Sequence, residues 1–234
     1  MKIARFRFAV PLQPLLPRHW RNGDFEYAFR GPQSVKHLIE ALGIPHTEIG
    51  DVACNGHPIA LDYLVQDGDC IEVGAAQSVD EEEPRFILDN HLGRLTAHLR
   101  MLGLDCLYRN DFDDRELLRI SLQEGRILLT RDRRLLMHRD LTRGYLLRNL
   151  DPEEQLREVV ERYQLQRWIK PFHRCLCCNH PLEPIDKQAI LHRLEPLTKL
   201  YFDEFHICPA CDQVYWKGSH YERMLKHMRH IGLE

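Results

Sequence analysis

No apolar run in the 234-residue chain approaches the roughly 20 residues that span a bilayer. A membrane span is therefore not expected. The start, Met1-Lys2-Ile3-Ala4-Arg5, sets charges inside the apolar pattern, which does not fit a secretory signal. The expected compartment is the cytoplasm. No internal repeat is found, so stacked-repeat architectures are set aside. Lysine is missing from residues 85–168, which carry 16 Arg and 14 Asp+Glu. Guanidinium binds phosphate bidentately, so this use of arginine alone fits contact with a phosphate backbone. Codon usage that favours Arg explains it equally well. Residues 1–84 hold 7 Lys+Arg against 13 Asp+Glu, and residues 169–234 hold 9 against 8. The net charge of −3 thus hides an acidic first third.

Residues 1–80 read as a first unit. Lys2 to Val10 alternates in part and reads as a strand, and Phe25 to Phe29 as a second. A proline-rich connection, Pro11 to Pro17, lies between them. Ser34 is placed to cap a helix carrying Val35, Leu38, Ile39 and Leu42, which ends at Gly43. Asp51 to Cys54 is a short strand before the turn Asn55-Gly56, and Cys70 to Val73 is the last strand. Ser34 to Pro45, Cys54-Asn55-Gly56 and Asp67 to Val73 resemble the sulfur-carrier branch of the ubiquitin-like β-grasp fold. Sulfur carriers end in a free Gly-Gly tail. Here the chain runs on through Gly74-Ala75-Ala76, so a binding or architectural module is expected, with a protein partner as one role. Ser78 to Pro84 is acidic and closed by proline, as an exposed linker is.

Residues 85–168 alternate short buried strands with helices, which implies a parallel α/β sheet. Strands are expected at 85–88, 105–108, 127–130 and 144–147. Helices are expected from Leu92 to Leu102, from Asp114 to Glu124, over Arg133–Arg139, and around Gln155 to Val160. Asp89 follows the first strand, Asp114 opens a helix, and Asp132 follows the strand Ile127–Thr130. Open α/β sheets place their sites at the carboxyl ends of strands. Clustered carboxylates repel unless a cation neutralises them, and Mg²⁺ or Mn²⁺ suits all-oxygen ligands. Asp132 and Asp114 also have a plain role as helix caps. Asp151, before Pro152, is a candidate fourth acid, though a helix cap is the favoured reading of it. Arg94, Arg126 and Arg131 are candidate phosphate contacts.

Phe86 to Leu95, Leu99 to Asp105, Asp113 to Leu118 and Gly125 to Asp132 are similar to the Mut-seven C-terminal RNase domain, a branch of the PIN-like nucleases. The likeness continues through Glu154-Gln155-Leu156 and Phe172-His173-Arg174-Cys175. It implies a metal-dependent RNase with RNA as partner and Asp89, Asp114 and Asp132 as the matching acids. The fourth acid of the PIN pattern has no clear counterpart.

Residues 169–234 carry two Cys-x-x-Cys pairs, Cys175/Cys178 and Cys208/Cys211, with 29 residues between the pairs. Two such knuckles complete a tetrahedral Zn²⁺ site. Four thiolates leave no open position, so this zinc is structural. The long spacer calls for an inserted segment, with a helix expected over Asp186–His192. Cys54, Cys70 and Cys106 read as small core residues. Beyond the second knuckle, Tyr215, Trp216 and Tyr221 alternate with Lys217 and Arg223, a pattern suited to stacking on unpaired bases beside phosphate. The competing reading packs these aromatics into the ribbon. His220, His227 and His230 read as an exposed basic helix. The expected whole is a β-grasp domain over 1–80, a PIN-like α/β domain over 85–168 and a zinc ribbon over 169–234. It would act as a metal-dependent ribonuclease, with a non-catalytic RNA- or ribosome-binding adaptor as the alternative.

Overall fold

The computed structural model describes residues 1–77, 82–219 and 221–222. Part of the expected linker (78–81), together with His220, Arg223, His227 and His230, lies outside the described residues.

The chain begins with β1 (Lys2–Phe8), β2 (Phe25–Phe29), α1 (Val35–Ala41), β3 (Ile49–Cys54), β4 (His57–Ile59) and β5 (Cys70–Ala75). These strands make one sheet in the order β2-β1-β5-β3-β4. β1 and β5 run parallel at its centre, and the other pairs are antiparallel. A parallel central pair with a helix after the second strand is the β-grasp layout. Alternation along β1 buries Ala4, Phe6 and Phe8. Val35, Leu38 and Ile39 of α1, with Leu42 just beyond it, are also buried. The Ser34 hydroxyl caps α1 by accepting from His37 N–H.

The sequence pattern does not reveal β4. Three residues give no readable period, and Pro58 argues against a strand. Proline is tolerated here because β4 is the sheet edge. Asn55 (φ 53°) and Gly56 (φ 80°) form the preceding turn, a conformation suited to the tight hairpin. Cys70 stands on the exposed face of β5, not in the core, because Ile71 and Val73 occupy the inward positions.

Next come β6 (Phe86–Leu88), α2 (Gly93–Met101), β7 (Cys106–Leu107), α3 (Asp114–Glu124), β8 (Ile127–Thr130), α4 (Arg133–Leu136), β9 (Gly144–Leu146) and α5 (Pro152–Tyr163). β6 pairs with β7 in parallel, and so does β8 with β9. All residues of β6, β8 and β9 are buried, as strands covered on both faces are. α4 stops three residues short of the expected end, because His138, Arg139 and Asp140 are exposed and give the helix nothing to pack.

The last elements are β10 (Glu183–Ile185), α6 (Lys187–Ile190), α7 (Pro196–Tyr201), β11 (Phe205–Ile207) and β12 (Val214–Trp216). The three strands form an antiparallel sheet in that order. α6 is the expected inserted helix, capped by Asp186 accepting from Gln188 N–H. Ile190, Leu194, Phe205 and Val214 form a small core of their own.

The chain divides into two compact units, residues 1–78 with 114–147 and residues 79–113 with 148–234. In the second unit Gly103 has φ +89°, and an added Cβ would run into the Lys170 carbonyl oxygen. Lys170 N–H donates to Leu102 O beside it, so the approach is held. Gly103→Ala is expected to cost about 3 kcal/mol through backbone strain plus the clash. A lowered urea midpoint checks it; an unchanged midpoint would show that the Lys170 segment yields freely.

Candidate functional site

Asp132 follows β8 and caps α4. Arg134 N–H donates to its Oδ1 at 2.7 Å and Leu135 N–H to the same oxygen at 3.4 Å. Both bonds use one oxygen. Oδ2 accepts no hydrogen bond among the described residues, and the side chain is exposed. A cap and a cation ligand can therefore coexist in this carboxylate. Asp151 caps α5 in the same manner, with Oδ1 accepting from Glu153 and Glu154 N–H at 2.9 and 3.2 Å. Asp89 directly follows β6 and is 8% exposed, with no capping bond from its side chain. Asp114 is the first residue of α3 and is exposed. Asp114 and Asp132 belong to the first compact unit, Asp89 and Asp151 to the second.

Arg94 is exposed on the first turn of α2. Arg131 is exposed next to Asp132. Arg126 precedes β8, so it stands at the opposite end of that strand from Arg131 and Asp132. It is buried and its Nε lies 2.7 Å from Glu124. Trp216 ends β12 with 36% exposure. Lys217 is exposed and bonds Glu204 at 2.9 Å, an ion pair that raises its pKa.

The four cysteines converge. The sulfurs of Cys175, Cys178, Cys208 and Cys211 all lie within 4.8 Å of one another. Cys175–Cys211 and Cys178–Cys208 are each 3.4 Å apart. Tetrahedral zinc at ~2.3 Å from each sulfur needs S···S separations of about 3.8 Å, so the donor set fits such a metal. The two knuckles are built alike. In each, the fourth residue after the first cysteine has positive φ (Asn179 at 70°, Asp212 at 60°) and donates its N–H to that cysteine's carbonyl. Burial opposes ionisation of Cys175. The Tyr215 hydroxyl at 3.1 Å and the backbone around Cys177 and Cys178 outweigh burial and hold its thiol down at about 6. Burial pushes Cys211 up to about 12, and the neighbouring thiols add to the rise.

The first knuckle is bolted to α2 and β7. Buried Arg100 donates from Nε to Cys106 O and from one terminal nitrogen to the carbonyls of Leu176 and Cys177. Asn179 accepts from Cys106 N–H and donates to Asp105. Sequence reasoning had no signal for either anchor, because neither residue sits in a motif.

A family model described as Mut7-C RNAse domain matches residues 84–228, and another described as Mut7-C ubiquitin matches residues 1–78. The chain belongs to the Mut7-C RNAse domain family. No curated protein and no solved structure matches it. The Mut7-C RNAse match spans more than half of the chain and takes in all four clustered cysteines. Family membership supports a ribonuclease activity. No helix among the described residues is long and apolar enough to cross a membrane.

The ubiquitin-like segment of this Mut7-C chain is packed against residues 133–147. Buried Glu48 accepts from Leu146 N–H of β9 at 2.7 Å. His46 Nε2 lies 2.6 Å from Leu141 O, and its Nδ1 lies 2.7 Å from Glu40. Arg133, next to Asp132, donates to Leu15 O at 3.1 Å. Glu48→Ala leaves a buried N–H without its acceptor and is expected to cost about 2 kcal/mol. Glu48→Gln keeps an acceptor there and is expected to lose less. Urea unfolding of the two variants checks the order.

Proposed function

We propose that this chain is a Mg²⁺- or Mn²⁺-dependent ribonuclease that hydrolyses RNA phosphodiesters. Its parts are a β-grasp domain (1–80), a PIN-like domain (85–168) and a zinc ribbon (169–234). The observation that carries the reading is the Mut7-C RNAse match, which spans Asp89, Asp114 and Asp132. The free Oδ2 of Asp132 supports it, since a carboxylate given wholly to capping would have no lone pairs to offer a cation.

In this reading Asp89, Asp114 and Asp132 hold the cation, with Asp151 as the candidate fourth acid. Such an ion, when bound, activates a water and stabilises charge developing on phosphorus. Arg94 and Arg131 are exposed and orient the RNA backbone. The four cysteines hold zinc, which has no open position and serves the fold. The ubiquitin-like domain is architectural: its Glu48 and Leu15 contacts brace the segment that carries Asp132.

The test is incubation of zinc-loaded protein with single-stranded and structured RNAs, with and without added Mn²⁺. Cleavage is expected only with Mn²⁺ and only with Asp132 intact. RNA bound but never cut would move the chain to the adaptor reading.

A further inference from the structure

A cavity of about 380 Å³ opens beside the cysteine cluster, within the second unit. That volume lies in the range of small-ligand pockets. Its wall is aromatic: Phe172, Tyr215, Trp216 and Tyr221 all line it. Arg174 and Gln213 add polar groups.

These aromatics are not the ribbon's core, which is built from Ile190, Leu194, Phe205 and Val214. Tyr215 is fixed by its hydroxyl, which bonds Cys175 Sγ and accepts from Leu176 N–H, so its ring is a rigid wall. Phe172 packs edge-to-face on Tyr221 with ring centroids 5.0 Å apart. Phe172 also has φ 66°, a left-handed conformation that bulky side chains avoid. Strain of this kind gathers at ligand clamps.

Arg174 supplies the second, independent observation. One terminal nitrogen donates to Asn179 O at 3.1 Å, and the other lies 3.5 Å from Asp105. The side chain is thereby held in place. Among the described residues its buried Nε has no hydrogen-bond partner. A buried donor left unmade is costly, and a small turn of the guanidinium, which lines the cavity, would bring this donor to a ligand's acceptor.

We propose that this cavity seats one unpaired nucleobase of an RNA strand. A base has flat π faces for the aromatic wall and ring acceptors for Arg174 Nε, and the Gln213 amide can donate or accept at its edge. Phosphate is disfavoured as the occupant, because the lining is chiefly aromatic and apolar. Lys217, the nearest lysine in sequence, is already paired with Glu204. The inference rests on RNA as the partner but not on cleavage.

The test uses the zinc-loaded full chain without Mg²⁺ or Mn²⁺, so that binding is read alone. Fluorescence anisotropy compares a labelled oligouridylate with an abasic ribose-phosphate strand of equal length. The base-bearing strand should bind about tenfold tighter, as one base–aromatic stack provides. Trp216→Ala should erase the difference and Trp216→Phe should restore most of it. Equal binding of the two strands by the wild type overturns the proposal, whatever the variants do. So does discrimination that survives Trp216→Ala, or failure of both strands to bind. Discrimination without any Mn²⁺-dependent cleavage leaves the pocket standing and removes the nuclease reading instead.

Discussion

Asp132→Asn is expected to lower Mn²⁺-dependent RNA cleavage by about a hundredfold or more while leaving stability nearly unchanged. The two effects separate because of how the carboxylate is used. Its Oδ1 caps α4 through Arg134 and Leu135 N–H, and Asn caps as well as Asp does. The amide keeps that cap through its carbonyl oxygen. It loses the negative charge and the second acceptor oxygen, which are what a divalent cation requires. Asp132→Ala removes both roles and should cost about 1 kcal/mol of stability in addition. Single-turnover cleavage with parallel urea unfolding measures each. If the Asn variant cuts RNA at the wild-type rate, Asp132 is a helix cap and nothing more. Asp151→Asn is the matching measurement for the fourth acid, since Asp151 caps α5 with the same Oδ1 geometry.

What was legible in the sequence was local. Ile127–Thr130 reads as a buried strand because four apolar or β-branched residues sit between a turn glycine and charges, and β8 occupies those residues. The knuckles are legible because two Cys-x-x-Cys pairs carry their own geometry, and the four sulfurs do meet. Ser34 declares the start of α1 through its capping chemistry. Features that depend on distant partners were not legible. Glu48 looks like an ordinary surface acid. It is buried because a backbone N–H 98 residues away needs an acceptor. Arg100 falls among the helix residues of α2 with no motif around it, yet it reaches three carbonyls across two elements. Arg126 and Arg131 stand close together in sequence. A strand separates its two ends in space, and the intervening β8 puts these arginines at opposite ends. Cys70 is different, because the inward Ile71 and Val73 already assign it to the outer face.

Withdrawing metal from the cysteine cluster, or replacing Cys208 by Ser, should unfold the three-stranded sheet β10-β11-β12 and open residues 175–216 to protease. The local core is too small to hold this segment unaided. Ile190, Leu194, Phe205 and Val214 contribute roughly 1.5–3 kcal/mol each on burial. Structural zinc in small domains contributes about 10–16 kcal/mol, as much as or more than this four-residue core supplies, so its removal should unfold the segment. Cys175 and Cys208 are fully buried, so their loss cannot be relieved by solvent. The pH dependence follows from the thiols. At neutral pH Cys175, held down at about 6, is already ionised, whereas Cys178 and Cys211 are pushed up and carry protons. Metal uptake must expel those protons, so affinity should rise with pH and fall in acid. The metal-linked stability is thus present at neutral and higher pH and lost as the thiols are reprotonated on acidification. A competing-chelator titration at two pH values, with proton release followed in weak buffer, measures both. Proteolysis that is identical with and without metal would show that the anchors from Arg100 and Asn179 suffice to hold the fold.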